Sequence, residues 1–255
     1  MKILFPENQD SRVVEAVNIL NKENICEAML GNNDLSQAAK QLLDGEVDAV
    51  IAGAAHSTAD VLRAGIKILG TKNGLVSSFM LMEKDNRTFA FADCAVVPEP
   101  SVEQLTQISI NTADNFYKIT RQIPNIALLS YSTLGSAQGE SVEKMRKVKQ
   151  NINALRPDLN IDGELQFDAA FDVNVANIKS PDSNVAGRAN VFIFPDLNSG
   201  NIGYKIAERL GGATVVGPIV QGLNKPMMDL SRGCSAEDII NLVRVILKLE
   251  NKNEN

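Results

Sequence analysis

The sequence has no tryptophan, a single histidine and only three cysteines in 255 residues, and aromatic residues make up 5% of it. The low aromatic content decides nothing about the fold. The cysteines, Cys26, Cys94 and Cys234, are odd in number and have no CxxC spacing, so neither a disulfide framework nor a zinc site is indicated and a reducing compartment fits. No apolar run reaches the ~18 residues of a membrane span. The opening Met1-Lys2-Ile3-Leu4-Phe5-Pro6-Glu7 holds too short an apolar run for a signal peptide. A soluble, cytoplasmic protein is expected. No block of about five or six like charges occurs either, and 25 basic residues against 31 acidic ones leave a net charge of -6. That balance argues against nucleic acid as a partner. A phosphate-bearing ligand would have to be drawn by local arginines, lysines or helix N-termini, against the net field.

The 44% hydrophobic and 22% charged fractions are those of an ordinary globular chain, long enough for one large domain or two smaller ones. Short apolar strands alternate with amphipathic helices. Strands are expected at 2–5, 49–52, 75–83, 88–91, 126–129, 191–194 and 214–216, and helices at 11–20, 35–43, 57–69, 102–119, 140–155, 202–210 and 235–249. Asp10 or Ser11 is the expected cap of the first helix. The polar Lys84-Asp85-Asn86-Arg87 is read as the turn of an antiparallel pair, and residues 250–255 are expected to fray. Strands separated by single helices call for parallel pairing through crossovers, so the class is α/β, with ligand sites at the carboxyl ends of strands.

Three segments in such positions could carry chemistry. In Ala52-Gly53-Ala54-Ala55-His56-Ser57-Thr58, followed by Arg63, small residues let a ligand approach the backbone, and free amides with the Ser and Thr hydroxyls suit an anion. The same string reads equally as a capped strand-to-helix turn in which His56 is a hydrogen-bonded structural residue. Phe194-Pro195-Asp196-Leu197-Asn198-Ser199-Gly200-Asn201 runs from a buried strand to a helix start, where Asp and Asn cap the helix or line a cleft. In Asp229-Leu230-Ser231-Arg232-Gly233-Cys234-Ser235-Ala236-Glu237-Asp238, Ser235 and Asp238 resemble a capping box. An arginine between Ser231 and Gly233 is required by no turn.

These strings, with Phe5-Pro6-Glu7, Asp10 and Arg12, Leu129-Ser130-Tyr131-Ser132-Thr133 with Gly135-Ser136-Ala137, and Asp162-Gly163-Glu164-Leu165-Gln166-Phe167-Asp168-Ala169-Ala170, occur in the order seen in phosphate acetyltransferases. The chain resembles that family over nearly its whole length. The resemblance implies two three-layer α/β/α domains with mainly parallel sheets and an active-site cleft between them, residues 1–74 plus 217–255 in the first and 75–216 in the second. It implies reversible acetyl transfer between coenzyme A and inorganic phosphate, coenzyme A being a substrate, with no metal or prosthetic group, in a cytoplasmic homodimer. Carried over by motif, Arg232 would bind phosphate and the acyl oxygen, Ser231 would hydrogen-bond the thiol sulfur or reacting oxygen, and Asp238 would take the thiol proton. Arg63, Ser57, Thr58, Ser132, Thr133, Asn198, Gly200 and Asn201 would bind coenzyme A or phosphate. Typical members carry a longer segment before the Gly53 motif, with an arginine implicated in coenzyme A binding. Here only residues 21–50 stand in that place, and no residue replaces that arginine. Two other readings therefore stay open, a noncatalytic acyl-CoA or acyl-phosphate sensing domain and a propionyl- or butyryl-type phosphate acyltransferase.

Overall fold

The alternation of strands and helices is realised in two units, Met1–Val76 with Val216–Asn255, and Ser77–Val215. The computed structural model describes residues 1–250; of the stretch expected to fray, Glu250 is instead the last residue of a helix, and 251–255 lie outside the described residues.

The first unit is built on a parallel sheet of β1 (Lys2–Phe5), β2 (Glu27–Leu30), β3 (Ala49–Ala52) and β10 (Met227–Asp229), in the order β10-β3-β1-β2. Helices α1 (Ser11–Lys22), α2 (Leu35–Asp44), α3 (Thr58–Leu69) and α9 (Ala236–Glu250) cover it, α1 packed on α9 and α2 on α3. Strands β2 and β3 lie on opposite sides of β1, so right-handed crossovers send α1 and α2 to opposite faces. The carboxyl ends of β1 and β3 then diverge at a topological switch point, where open α/β sheets place their ligands. Asp10 caps α1 by accepting the Arg12 amide, and Ser57 caps α3 by accepting the Asp60 amide.

The second unit holds a six-stranded sheet in the order β7-β6-β8-β5-β4-β9. Its strands are β4 (Ser77–Lys84), β5 (Arg87–Ala92), β6 (Asn125–Leu129), β7 (Asn160–Leu165), β8 (Val191–Ile193) and β9 (Thr214–Gln221), and the boundary between the units falls within β9. The expected antiparallel pair is β4 with β5, turning on Asp85 and Asn86 at positive φ, a conformation Asn and Asp tolerate. Helices α4 (Val102–Thr120) and α5 (Glu140–Leu155) pack on one face; α6 (Phe167–Phe171), α7 (Val173–Lys179) and α8 (Leu197–Arg209) cover the other. The switch point of this sheet lies between β6 and β8. It sits beside an aromatic core in which Phe192, 0% exposed, lies 5.2 Å from Phe91, 6.0 Å from Phe89 and 5.1 Å from Phe167 between ring centroids.

Two readings of the sequence change. Helix α8 begins at Leu197 rather than at 202, because Asp196 accepts the Ser199 amide and so draws Asn198, Ser199, Gly200 and Asn201 into the first turns. Strands β2, β7 and β10 and the short α6 and α7 were not expected.

Phe192→Ala should lower stability by about 3–5 kcal/mol, as truncation of a fully buried aromatic does. A shift in the urea midpoint of the second unit's unfolding reads it, and a loss below about 1 kcal/mol would mean that the aromatic layer can collapse around the gap.

Candidate functional site

At the first switch point the turn after β3 presents four consecutive amides, and the protein itself supplies the anion they hold. Glu7, just past β1 and 1% exposed, accepts from Gly53 N at 3.0 and 3.1 Å, Ala54 N at 2.8 Å, Ala55 N at 2.9 Å and His56 N at 2.8 Å. His56 Nδ1 adds a contact at 2.8 Å. This corrects the expectation that these amides are free for a ligand: backbone donors at a buried turn must be satisfied, and here an internal carboxylate does it. Burial pushes the Glu7 carboxyl up, but the amides and His56 more than offset this and hold it below the usual glutamate range. His56 is a hydrogen-bonded structural residue, as the capped-turn reading expects.

On the far side of that turn, Asp229 ends β10. It is 1% exposed, and its Oδ2 accepts from Thr58 Oγ1 at 2.7 Å. Burial, with the charge of Glu7 adding to it, pushes its carboxyl up to about 6, while the Thr58 hydroxyl and, less, the Leu230 amide oppose them. Ser57 Oγ donates to Asp60 Oδ2 at 2.7 Å, and Arg63, largely exposed, pairs with Asp60 Oδ1 at 2.6 Å.

The segment 231–238 follows β10 directly. Arg12 braces it, with Nη1 donating to the carbonyls of Arg232 and Cys234, both at 2.8 Å, and Nη2 to that of Ala54 at 2.9 Å. Nε and Nη2 also grip Asp10 at 3.0 and 2.6 Å, so all five guanidinium donors are engaged, an arrangement a lysine cannot reproduce. Fixing the carbonyls on either side of Gly233 fixes the turn. The side chain it displays, Arg232, is exposed and has no hydrogen bond or ion pair among the described residues. Ser231 Oγ accepts the Gly233 amide at 3.2 Å. The capping box is formed: Ser235 Oγ accepts Asp238 N at 3.2 Å, and Asp238 Oδ2 accepts Ser235 N and Oγ, both at 2.8 Å. Ser231, Arg232, Asp238, Ser57, Thr58 and Arg63 thus belong to one unit, to two adjoining turns and the helices α3 and α9 that they lead into, with Arg232 and Asp238 exposed.

Ser132, Thr133, Asn198, Gly200 and Asn201 belong to the second unit, at the carboxyl ends of β6 and β8. Ser132, fully buried, donates to Glu164 Oε1 at 2.8 Å and accepts the Ala137 amide at 3.0 Å. Thr133 Oγ1 donates to Gln166 Oε1 at 3.2 Å and accepts its amide at 3.0 Å. Glu164 also takes Gly135 N and two contacts from Arg146; burial works against its charge, yet these donors hold it down at about 2. Asn201 Nδ2 donates to Cys94 O at 2.9 Å, and Gly200 packs so closely on Asp93 O that a Cβ would overlap it. Asn198 alone of the five has an exposed polar side chain with no hydrogen bond among the described residues. Beneath this loop a third carboxylate, Asp93, accepts Ser78 Oγ at 2.6 Å and the amides of Ala95, Val96 and Val97.

Sequence reasoning assigned no role to Glu7, Arg12, Asp229 or Glu164. Their signal was there in part, since Glu7, Asp10 and Arg12 stand together straight after the first strand, but nothing local shows which distant amides and carbonyls they meet.

The model of the family described as Phosphate acetyl/butaryl transferase matches residues 29–247. A phosphate acetyltransferase of Clostridium acetobutylicum is 49% identical over 216 residues, covering 82% of this chain and 65% of its own length. One of Bacillus subtilis is 39% identical over 302 positions, with 96% and 93% covered. Because 302 positions exceed the 255 residues here, that relative carries residues with no counterpart in this chain. The chain spans just under two thirds of the clostridial relative. Among solved structures, a phosphotransacetylase from Streptococcus pyogenes superimposes with a TM-score of 0.91 at 39% identity, covering 97% of this chain and 93% of that one.

Glu7→Gln should destabilise the protein by about 3 kcal/mol at neutral pH, because an amide cannot accept from four backbone donors and places an NH2 among them. Glu7 has its folded pKa lowered, so its contribution is present above the ordinary glutamate value and is lost as pH falls below about 4.5. Urea unfolding from about pH 7 down to pH 3 should show the two proteins converging; a constant gap would assign the loss to packing rather than charge.

Proposed function

The chain belongs to the Phosphate acetyl/butaryl transferase family, and from that premise we propose that it is an acyltransferase moving an acetyl group reversibly between coenzyme A and inorganic phosphate. The observation that carries this is the braced turn at 231–234, which displays an unpaired arginine three residues past a strand end, with Asp238 in the first turn of the helix that follows. Attack of the coenzyme A thiolate on acetyl phosphate passes through a tetrahedral centre. Its developing negative charge is stabilised by donors positioned before the reaction starts. Arg232 supplies a fixed positive fork for phosphate and the acyl oxygen, and Ser231 a hydroxyl for the sulfur or reacting oxygen. Asp238 takes the thiol proton through Oδ1, the oxygen that the capping box leaves without a hydrogen bond. Capping and proton acceptance are thus compatible in one carboxylate.

Free thiols lie well above aspartate in pKa, so this transfer is uphill unless Arg232 stabilises the thiolate as it forms. Thr58, Ser57 and Arg63 meet phosphate groups of coenzyme A at the start of α3. In the second unit Asn198 is the residue with a free amide for a ligand. Ser132 and Thr133, whose hydroxyls are committed to Glu164 and Gln166, hold their loop in shape, as Gly200 and Asn201 do theirs. Exposed Ile202 and Ile206 of α8 and its C-cap Leu210 form one stripe at i, i+4 and i+8, which supports a homodimer. A cytoplasmic location is part of the same reading. The sensing-domain alternative draws on the residues that the Bacillus relative has and this chain lacks.

Purified protein given acetyl phosphate and coenzyme A should form the thioester, unaffected by a chelator. Binding without turnover of acetyl, propionyl or butyryl phosphate would favour the sensor. Arg232→Ala should lower kcat sharply, while Arg63→Ala should mainly raise the KM for coenzyme A, since a remote phosphate contact is made equally in ground and transition states. Asp238→Asn separates base from cap: as base its loss costs roughly 10²- to 10⁴-fold in kcat and removes the acid limb of the pH–rate profile. A cap alone would cost about 1 kcal/mol of stability and leave turnover intact.

A further inference from the structure

Asp229 is the carboxylate that the first unit leaves half satisfied. Oδ2 accepts from Thr58, but Oδ1 is buried with no partner among the described residues. The nearby Leu230 amide donates to Ala52 O at 2.7 Å, and lies close enough to the carboxyl to favour its charge only weakly, as the smallest of the influences on its pKa. A side chain at position 53 would come within 2.5 Å of Oδ1, so only glycine leaves the space. The titratable groups facing Asp229 are Glu7, from the segment after β1, and through Glu7 the ring of His56, from the turn after β3. Neither neutralises it: Glu7 is an anion, and His56 is turned to Glu7. No cation pairs with Asp229 among the described residues.

Thr58 has one hydroxyl proton. While Asp229 is ionised that proton points at Oδ2, and the half-buried hydroxyl offers only lone pairs to a ligand, which repel an anionic oxygen. With one proton on the carboxyl the bond reverses, Asp229 donating to Thr58 Oγ1 and Thr58 donating outward. We propose that Asp229 is a positioning residue that sets the donor sense of the Thr58 hydroxyl, so that a phosphate group bound at Thr58 draws one proton into the Asp229–Thr58 pair. The proton comes from solvent: it arrives at Thr58 Oγ1 as the original hydroxyl proton passes to Oδ2, and the pair gains one positive charge to set against the anion. The inference rests on the reading that Thr58 meets a phosphate of coenzyme A. Because burial and Glu7 already hold the carboxyl at about 6, the uptake falls near neutral pH. Linkage then makes affinity fall as pH rises above about 6, by up to tenfold per unit.

The experiment is calorimetric titration of the whole protein with coenzyme A at about pH 7.5, in buffers of differing ionisation enthalpy, so that proton uptake is read from the slope. Titration of coenzyme A itself is common to all variants and cancels in their differences. Wild type should take up between about half a proton and one proton more per coenzyme A than Asp229→Asn, whose amide donates permanently to Thr58. Asp229→Asn should hold its pH 6 affinity to about pH 8, where wild type loses at least about tenfold. Thr58→Val keeps the carboxyl but cannot relay the change, and its uptake should match that of Asp229→Asn. Equal uptake in wild type and either variant overturns the inference and leaves the acyl-transfer reading standing. A wild-type protein that neither binds coenzyme A nor turns over overturns both.

Discussion

The two candidate regions depend on one constraint, that amides at the carboxyl ends of buried strands must find an acceptor as the chain leaves the sheet, in buried or part-buried surroundings. The chain meets it with carboxylates brought from elsewhere. Glu7 holds the four amides after β3, Asp93 holds three amides after β5, and Glu164 holds the Gly135 amide and the Ser132 hydroxyl after β6. A charged acceptor makes stronger bonds than a carbonyl does, and one carboxylate can serve several donors at once. The loops are thereby held by their backbones, which leaves their outward side chains free of any part in holding them.

That separation is clearest at 231–238. Arg12 grips carbonyls and Ser235 caps α9, so Arg232 does not have to fold back to stabilise the turn it stands on, although Ser231 Oγ accepts the Gly233 amide within it. Pre-set donors need no reorganisation when charge develops in a transition state. The shortened stretch between α1 and β3, reduced to β2 and α2, leaves this intact, since none of the groups in the brace comes from it.

The sequence made the parallel α/β class, the antiparallel β4–β5 turn and the capping box at Ser235 legible, because each rests on short-range patterns of apolar period, turn residues and spacing. It hid β7, whose Asn-Ile-Asp-Gly-Glu-Leu looks like a loop until Asp162 and Glu164 are seen bonded to Lys149 and Arg146 on α5. Strand β10 was hidden by its three-residue length and β2 by its position at the sheet edge. The start of α8 was misplaced because a Gly and two Asn suggest a loop, whereas the Asp196 cap and the close approach of Gly200 to Asp93 override propensity. Of the candidate site, the motif residues were readable and their fasteners were not. Glu7 and Arg12 act across 46 and 220 residues of chain, and no periodicity encodes a partner at that distance.

A protein of net charge -6 that packs two carboxylates, Glu7 and Asp229, behind the turn after β3 concentrates negative charge there. Coulomb repulsion is strongest where solvent screens least, so both charges would be felt at Thr58. Glu7 is the tolerable one, since four amide dipoles and the ring of His56 surround it and much of its field ends on them. Asp229 has one hydroxyl on Oδ2 and an Oδ1 with no hydrogen bond among the described residues, so its charge is the less neutralised of the two, and also the one that a proton can remove. Moving either residue changes the balance: without Glu7 the amides would be open to solvent or ligand, and Asp229 would lose the neighbour that raises its pKa. The negative charge behind this turn that a proton can remove is thereby concentrated in a single titratable group.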